Sequence, residues 1–270
     1  MWRILPAVAI VLAGCTSGPA DRFDSDAAMT LLEEQIALGP RPAGSDASRT
    51  LAERMRRELP HGRFQDVPGG LRNVVGSVEG SDPERVVVVG AHYDTKDLPG
   101  FVGANDGASG TAVVVELARR LETRDLGPTV VFVLFAGEES PRGSESFARD
   151  GMRGSKVAAK AFDDAEAMIL LDFVGDNDLS IPREANSDSA LWARLRAAAK
   201  RVGQETHFPA KTSGRVIDDH VQFTTQGVPA IDLIDVDFPC FHRRCDDRSV
   251  VSERSLDVVG ETVLELLRSW

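Results

Sequence analysis

Three runs of consecutive apolar residues dominate the hydrophobic pattern of the chain. They cover Val86–Ala91, Thr129–Phe135 and Met168–Phe173. Continuous runs of this length are typical of strands that are buried on both faces of a sheet. Between the first two runs, the apolar residues of Gly107–Leu121 recur at intervals of three and four, which predicts an amphipathic helix.

The remaining patterned segments add helices and strands on both sides of this centre. Helices are predicted over Asp26–Leu38 and from a Ser45 cap to about Leu59, followed by a strand over Leu71–Val78 that enters a hairpin through Gly80–Pro83. Because strands alternate with helices, we predict a three-layer α/β fold with a mostly parallel central sheet and helices on both faces. Later helices are predicted over Ser187–Val202, Asp219–Gln226 and Ser252–Leu267, and a strand over Val228–Ile234.

The first residues have the pattern of an export signal. Ile4–Ala13 is an apolar stretch that is too short to span a bilayer as a mature helix. It runs into Leu12-Ala13-Gly14-Cys15, which resembles the lipobox of bacterial lipoproteins, in which the cysteine is acylated. We therefore predict a lipoprotein-type signal peptide over residues 1–14, a tether over 15–25 and a single domain over 26–270. An ordinary signal peptide that contains a cysteine is the alternative.

Lipidation of Cys15 would anchor the exported protein to a membrane of the bacterial cell envelope, on its periplasmic or outer surface. Two cysteines remain in such an oxidising compartment, Cys240 and Cys245. A disulfide between them is plausible, although the spacing alone does not establish it. Its expected effect is to constrain His242, which lies between them.

Acidic side chains outnumber basic ones, 42 to 31, which gives a net charge of −11. This balance disfavours a nucleic acid or an anionic membrane surface as a partner, because both repel an acidic protein. The sequence contains no basic groove with interleaved aromatic residues. We therefore expect no nucleic-acid binding.

Side chains that can bind metals follow the ends of the predicted strands. In α/β sheets, ligands bind outside the carboxyl ends of the strands, so these side chains are expected to meet at one edge. They are His92 and Asp94 after the first run, Asp106 at the start of the helix between the first two runs, Glu138 and Glu139 after the second run, Asp172 at the end of the third, and His242 in the acidic loop after Ile234.

Each of these residues has a structural explanation when it is taken alone. His92 and Asp94 could form a salt bridge in a loop, and Asp106 could cap a helix. Together, however, they favour a metal site. The negative charges of three carboxylates and one bridging hydroxide balance the positive charges of two divalent ions, and the two histidines add neutral nitrogen ligands. Nitrogen and oxygen ligands without a thiolate suit zinc, with cobalt and manganese as alternatives. Asp106 is the candidate bridge between two metals.

Several short motifs carry a resemblance to a known family. They are His92-Tyr93-Asp94, Gly103–Gly110, Gly137-Glu138-Glu139, Gly143-Ser144, Leu171-Asp172 and the late His242. Together, they resemble the co-catalytic zinc aminopeptidases of secreted bacterial type, whose relatives include the glutaminyl cyclases. The resemblance runs from about Asp26 to the end of the chain.

This resemblance implies a catalytic zinc-peptidase domain that removes N-terminal residues from peptides. His92 and Asp172 would hold one zinc, Glu139 and His242 the other, and Asp106 would bridge the two. Asp94 would orient His92, and Glu138 would act as the general base.

The sequence departs from the family pattern after its last histidine. The family typically has a threonine and an acidic residue there, whereas this chain has Arg243-Arg244-Cys245-Asp246-Asp247. Arg243 is expected either to contact the carboxylate end of a short peptide or to pair with local aspartates. Asp219 and His220 are expected to contact the substrate or to support the ligands, and His220 is the alternative to His242 as a ligand.

Two other functions remain open at this point. The resemblance to glutaminyl cyclases implies intramolecular aminoacyl transfer with a single zinc, but the loop after Glu139 lacks the tryptophan that would cover a cyclase pocket. A lipoprotein that binds metal without turnover is the other alternative, and the spare carboxylate of Glu138 argues against it. Neither the oligomeric state nor the preferred N-terminal residue of the substrate follows from the sequence.

Overall fold

The fold is described by a computed structural model that covers residues 22–270. The predicted signal peptide, the lipidation site at Cys15 and the first part of the tether lie outside the described residues. Within residues 22–270, no helix combines the length and the apolar character that a membrane span requires.

The middle layer is one six-stranded sheet, whose strands are β1 (Arg63–Val67), β2 (Leu71–Val78), β3 (Asp82–His92), β4 (Pro128–Phe135), β5 (Ala167–Asp172) and β6 (Ala230–Ile234). Their order across the sheet is β1-β2-β4-β3-β5-β6. Strands β4, β3, β5 and β6 run parallel, whereas β2 is antiparallel to both of its neighbours. The mostly parallel sheet is therefore confirmed.

The predicted hairpin between β2 and β3 is wrong. Strand β2 forms its hairpin with β1, an edge strand that the hydrophobic pattern did not reveal. Gly69 and Gly70 connect the two strands with φ angles of +86° and +74°. Glycine adopts such angles without a steric penalty, which explains why the turn falls here.

Helices cover both faces of the sheet, as predicted. They are α1 (Ser25–Ile36), α2 (Asp46–Glu58), α3 (Ala108–Arg120), α4 (Phe147–Asp150), α5 (Arg153–Ala161), α6 (Ser189–Arg201), α7 (His220–Thr225) and α8 (Glu253–Arg268). The larger core lies under α1, α2, α3, α6 and α8, and the smaller one under α5 and α7. In β3, Val87 and Val89 face the larger core and Val88 faces the smaller one, because successive side chains alternate across a strand.

Candidate metal centre

The first group of metal-binding side chains consists of His92, Asp106 and Asp172. His92 is the last residue of β3 and Asp172 is the last of β5, and these two strands are parallel neighbours. Asp106 joins them from the loop before α3. His92 Nε2 lies 3.2 Å from Asp106 Oδ1 and 3.3 Å from Asp172 Oδ1. All three side chains are buried, which makes this group the more buried of the two.

The second group shares Asp106 and adds Glu139 and His242. Glu139 follows β4, and His242 comes from the loop after β6. His242 Nε2 lies 3.2 Å from Glu139 Oε1 and 3.4 Å from Asp106 Oδ2. The His242 side chain is 28% exposed, so this group is the one that faces solvent.

The donor atoms of these two groups fit metal ions. Within each group, one candidate ligand atom per residue lies within 4.8 Å of the others. Asp106 Oδ2 and Glu139 Oε1 are buried and find no hydrogen-bond donor among residues 22–270. Unpaired buried carboxylate oxygens are costly, and a cation would satisfy both. Because Asp106 offers one oxygen to each group, it has the arrangement of a bridging carboxylate.

The loop that carries Asp106 depends on a glycine. Gly107 has a φ of +85°, and a Cβ built there would lie 2.9 Å from His92 Cε1. A larger residue at this position would therefore push into the first ligand group. Gly107 is also the N-cap of α3, and no side chain caps that helix, so the alternative role of Asp106 as a helix cap is wrong.

Asp246 holds the Asp106 loop from the opposite side. Its carboxylate accepts hydrogen bonds from the backbone amides of Asn105, at 2.7 Å, and Asp106, at 3.1 Å. Burial, reinforced by the negative charge of Asp106, raises the pKa of Asp246 to about 7. The sequence placed this residue only in the segment that departs from the family pattern, and its role was not predicted.

Asp94 contacts His92 through its main-chain carbonyl, and not through its carboxylate as predicted. The carbonyl oxygen lies 3.1 Å from His92 Nδ1, a contact that leaves Nε2 free for a metal. The carboxylate instead accepts hydrogen bonds from the amides of Gly137, Glu138 and Glu139, at 2.7, 3.2 and 3.3 Å. Asp94 therefore fixes the turn that presents the two glutamates, and burial raises its pKa to about 6.

The two adjacent glutamates have opposite electrostatic environments. Glu138 lies outside both ligand groups, with Oε2 4.0 Å from His92 Nδ1, and burial together with the charge of Glu139 raises its pKa well above the usual range. Burial also acts on Glu139, but the nearby His242 imidazole and the Lys96 ammonium outweigh it and lower the pKa. Lys96 Nζ lies 2.6 Å from Glu139 Oε2, a contact that sequence reasoning missed. The pair is thus divided into a candidate acid–base group and a candidate ligand.

The three residues expected to contact substrate lie elsewhere. His220 is fully buried, with Nε2 3.1 Å from Glu184 Oε1, so it can serve neither as the alternative metal ligand nor as a substrate contact. Asp219 is also fully buried, and Arg243 is exposed outside the cavity. In this segment it is Asp218, immediately before these two in the sequence, that lines the cavity.

The ligand groups open into a cavity of about 300 Å³. Its lining combines acidic side chains with apolar ones. Ile217 and Phe241 stand at its mouth and are 55% and 51% exposed. The cavity is lined by Lys96, Asp106, Glu138, Glu139, Ser140, Phe147, Asp172, Phe173, Val216, Ile217, Asp218, Ile234, Phe241 and His242.

Arg41 supports the site from within the core. Its side chain is fully buried and donates hydrogen bonds to the carbonyls of Gln35, Gly39 and Val102, at 3.2, 3.1 and 2.9 Å. Burial lowers its pKa to about 10, an effect that nearby carboxylates oppose. The guanidinium therefore stays charged near neutral pH and offsets part of the negative charge of the metal centre.

We expect the Arg41→Leu substitution to lower the free energy of unfolding by about 3–5 kcal/mol, because it leaves buried carbonyls and carboxylates without their cation. Urea unfolding of the purified protein measures this loss. Arg57→Leu is the matched control: Arg57 is exposed, and its replacement should change the stability by less than about 0.5 kcal/mol. Equal stabilities of the two variants would contradict the supporting role of Arg41.

Comparisons with known proteins place this geometry in context. The solved structure of a leucine aminopeptidase precursor from Bacteroides thetaiotaomicron has a similar fold, with a TM-score of 0.83 and 23% identity, covering 92% of this chain and 98% of that one. An Acidobacteriales bacterium glutaminyl cyclase has a TM-score of 0.80 and 28% identity, covering 96% and 98%. A probable zinc metalloprotease from Pyricularia oryzae is 36% identical over 174 residues, which is 56% of this chain but only 32% of the relative.

The fold and the two ligand groups define an α/β protein with a candidate metal centre at the carboxyl edge of its sheet. The model of peptidase family M28 matches residues 73–267, and the chain belongs to that family. Membership in this metallopeptidase family makes zinc the metal of the centre, in agreement with the predicted cofactor. The chain spans only about a third of the curated metalloprotease named above.

Proposed function

We propose that the protein is a zinc aminopeptidase that hydrolyses the first peptide bond of its substrates. The observation that carries this proposal is the position of Asp106, which offers Oδ1 to the first ligand group and Oδ2 to the second. Such a carboxylate is the hallmark of a two-metal hydrolase site, so we expect two zinc ions. The free carboxylate of Glu138 beside this centre supports hydrolysis in preference to metal binding alone.

When bound, zinc would polarise the scissile carbonyl and lower the pKa of water. Glu138 takes the proton from the attacking water as the new carbon–oxygen bond forms. It then delivers this proton to the nitrogen of the peptide bond that breaks, so that the leaving amine departs neutral. The Asp94 carboxylate fixes the 137–139 turn, which holds the Glu138 side chain beside the ligand groups.

The cavity suits the amino terminus of a peptide. Asp218 is buried in its wall and forms no ion pair with a basic side chain of the described chain, so a substrate ammonium group would supply the missing positive charge. The apolar wall that includes Phe147 and Phe173 offers space for a single uncharged side chain. The exposed Ile217 and Phe241 at the mouth would contact the residues that follow.

A glutaminyl-peptide cyclotransferase is the second candidate. The Acidobacteriales cyclase, 28% identical over nearly the whole chain, favours it. In this reaction the α-amine of an N-terminal glutamine attacks the side-chain amide carbon, a ring carbon–nitrogen bond forms, and ammonia leaves. Glu138 would move the proton from the attacking amine to the departing ammonia. A single zinc would then occupy the solvent-facing group of Asp106, Glu139 and His242.

Incubation with glutaminyl-β-naphthylamide separates the two reactions. Hydrolysis yields free glutamine and naphthylamine, whereas cyclisation yields ammonia and an intact pyroglutamyl-naphthylamide. We expect hydrolysis products, faster release from substrates with an uncharged apolar first residue, loss of turnover on zinc chelation and recovery on zinc addition. N-acetylated substrates are the control and should not react. Pyroglutamyl product would instead establish the cyclase, and a zinc-loaded protein inert towards a broad panel of peptides would contradict both.

A further inference from the structure

The loop that carries His242 is closed by a disulfide. Cys240 and Cys245 are bonded in the structure, with their Cα atoms 5.4 Å apart, so the pairing considered from the sequence is confirmed. The bond encloses Phe241, His242, Arg243 and Arg244. A candidate metal ligand therefore lies inside a covalent ring of six residues.

Besides the disulfide, a few contacts hold the ring: Arg244 Nε donates a hydrogen bond to the Pro99 carbonyl at 2.8 Å, and the Phe241 ring packs against Phe173 with the centroids 5.2 Å apart. Phe241, Arg243 and Arg244 are exposed, and within the ring a backbone hydrogen bond runs from the Arg243 amide to the Cys240 carbonyl, at 2.9 Å. His242 has a φ of +51°, a left-handed conformation that is unfavourable for residues other than glycine. Phe241 stacks on its ring with the centroids 3.9 Å apart, but Phe241 is itself exposed. The disulfide adds a covalent constraint to these surface contacts.

The ring is also connected to the bridging ligand. Asp246 directly follows Cys245, and it accepts hydrogen bonds from the amides of Asn105 and Asp106 through its carboxylate. Its main-chain carbonyl accepts a third from the amide of Ala104, at 3.3 Å. The disulfide thus closes a segment that supplies His242 and continues directly into the residue that holds the Asp106 loop, so it lies next to two of the three ligands of the solvent-facing group.

We propose that the Cys240–Cys245 disulfide is a positioning element of the metal centre, which sets the zinc affinity of the Asp106, Glu139 and His242 group. The cross-link removes conformations in which His242 turns away from Asp106 and Glu139, so it lowers the entropy lost when the metal binds. This inference rests on the proposed metal centre, but not on whether the protein hydrolyses or cyclises its substrate.

Loss of the disulfide should weaken zinc binding at this group by about 10- to 100-fold, the range seen when groups that support metal ligands are removed. In the more buried group of His92, Asp106 and Asp172, His92 is the last residue of β3 and Asp172 the last of β5, and neither belongs to the disulfide-closed ring. The affinity of this group should therefore fall less. Without the disulfide, a protein with two zinc ions should release the zinc of the Asp106, Glu139 and His242 group first.

The test compares oxidised wild-type protein with the Cys240→Ser/Cys245→Ser double variant in a zinc competition titration against a chromogenic chelator. We expect weaker binding and faster release of one zinc per chain from the variant, with an unchanged circular dichroism spectrum. Wild-type protein treated with a phosphine reductant is the second arm, and it should approach the variant. The same reductant added to the double variant is the control for direct effects on zinc, and it should change nothing.

Equal zinc affinities for the oxidised protein, the reduced protein and the double variant would overturn the inference. If the double variant fails to fold, the reduced wild-type protein carries the comparison. Oxidised protein that binds no zinc would instead refute the metal centre, and the role of the disulfide with it. Turnover is not needed for any of these readings, so they are independent of the reaction.

Discussion

Replacement of Glu138 by glutamine is expected to lower kcat by about 100- to 10,000-fold while the protein retains its zinc. The amide is nearly isosteric with the carboxylate but cannot accept a proton at neutral pH. Glu138 lies outside both ligand groups, so its replacement removes no metal ligand. Steady-state kinetics on a naphthylamide substrate, together with the zinc content from atomic absorption, measure both halves of this expectation.

The adjacent residue provides the matched control. Glu139→Gln makes the same chemical change one position further along, but Glu139 Oε1 lies 3.2 Å from His242 Nε2 and belongs to the second ligand group. This variant should lose zinc from that group, and excess zinc should restore part of its activity. Added zinc should not rescue Glu138→Gln. A Glu138→Gln variant with wild-type kcat, or one that recovers when zinc is added, would contradict its assignment as general base.

The sheet and its functional edge could be predicted because their signals are local. The consecutive valines of β3 identify a strand covered on both faces, and polar residues directly after such strands mark its carboxyl edge. Strand β1 escaped prediction because it lies at the edge of the sheet, where only Val67 is fully buried. Helix α5 escaped because it is short, rich in small residues and preceded by Met152 in a left-handed conformation.

The supporting contacts of the site could not be predicted, because they depend on single atoms. The sequence shows that Asp94 is near His92, but not that its carboxylate binds the 137–139 amides while its carbonyl binds the imidazole. Arg41 and Asp246 reach the site across long separations in the chain, in segments with no hydrophobic period. Asp218 and His220 are two residues apart, yet one faces the cavity and the other a buried carboxylate.

Asp106→Asn is expected to weaken zinc binding at both ligand groups, and by more than the roughly 100-fold upper limit for residues that only support ligands. The substitution keeps the shape of the side chain and the backbone amide that Asp246 binds. It replaces one anionic oxygen by an amide NH₂ group, which can only donate, and it removes the charge that two cations would share. Activity should fall with the metal, and high zinc concentrations should not restore it fully.

A comparison with Asp172→Asn separates a bridging carboxylate from an ordinary ligand. Asp172 belongs only to the first group, so its replacement should release one zinc ion and leave the group of Glu139 and His242 filled. Asp106→Asn should instead reduce occupancy at both positions, since its two oxygens lie 3.2 Å from His92 Nε2 and 3.4 Å from His242 Nε2. Anomalous scattering from crystals of both variants distinguishes these outcomes position by position. Unchanged zinc occupancy in Asp106→Asn would show that the two groups act independently, and a two-metal mechanism would then lose its bridge.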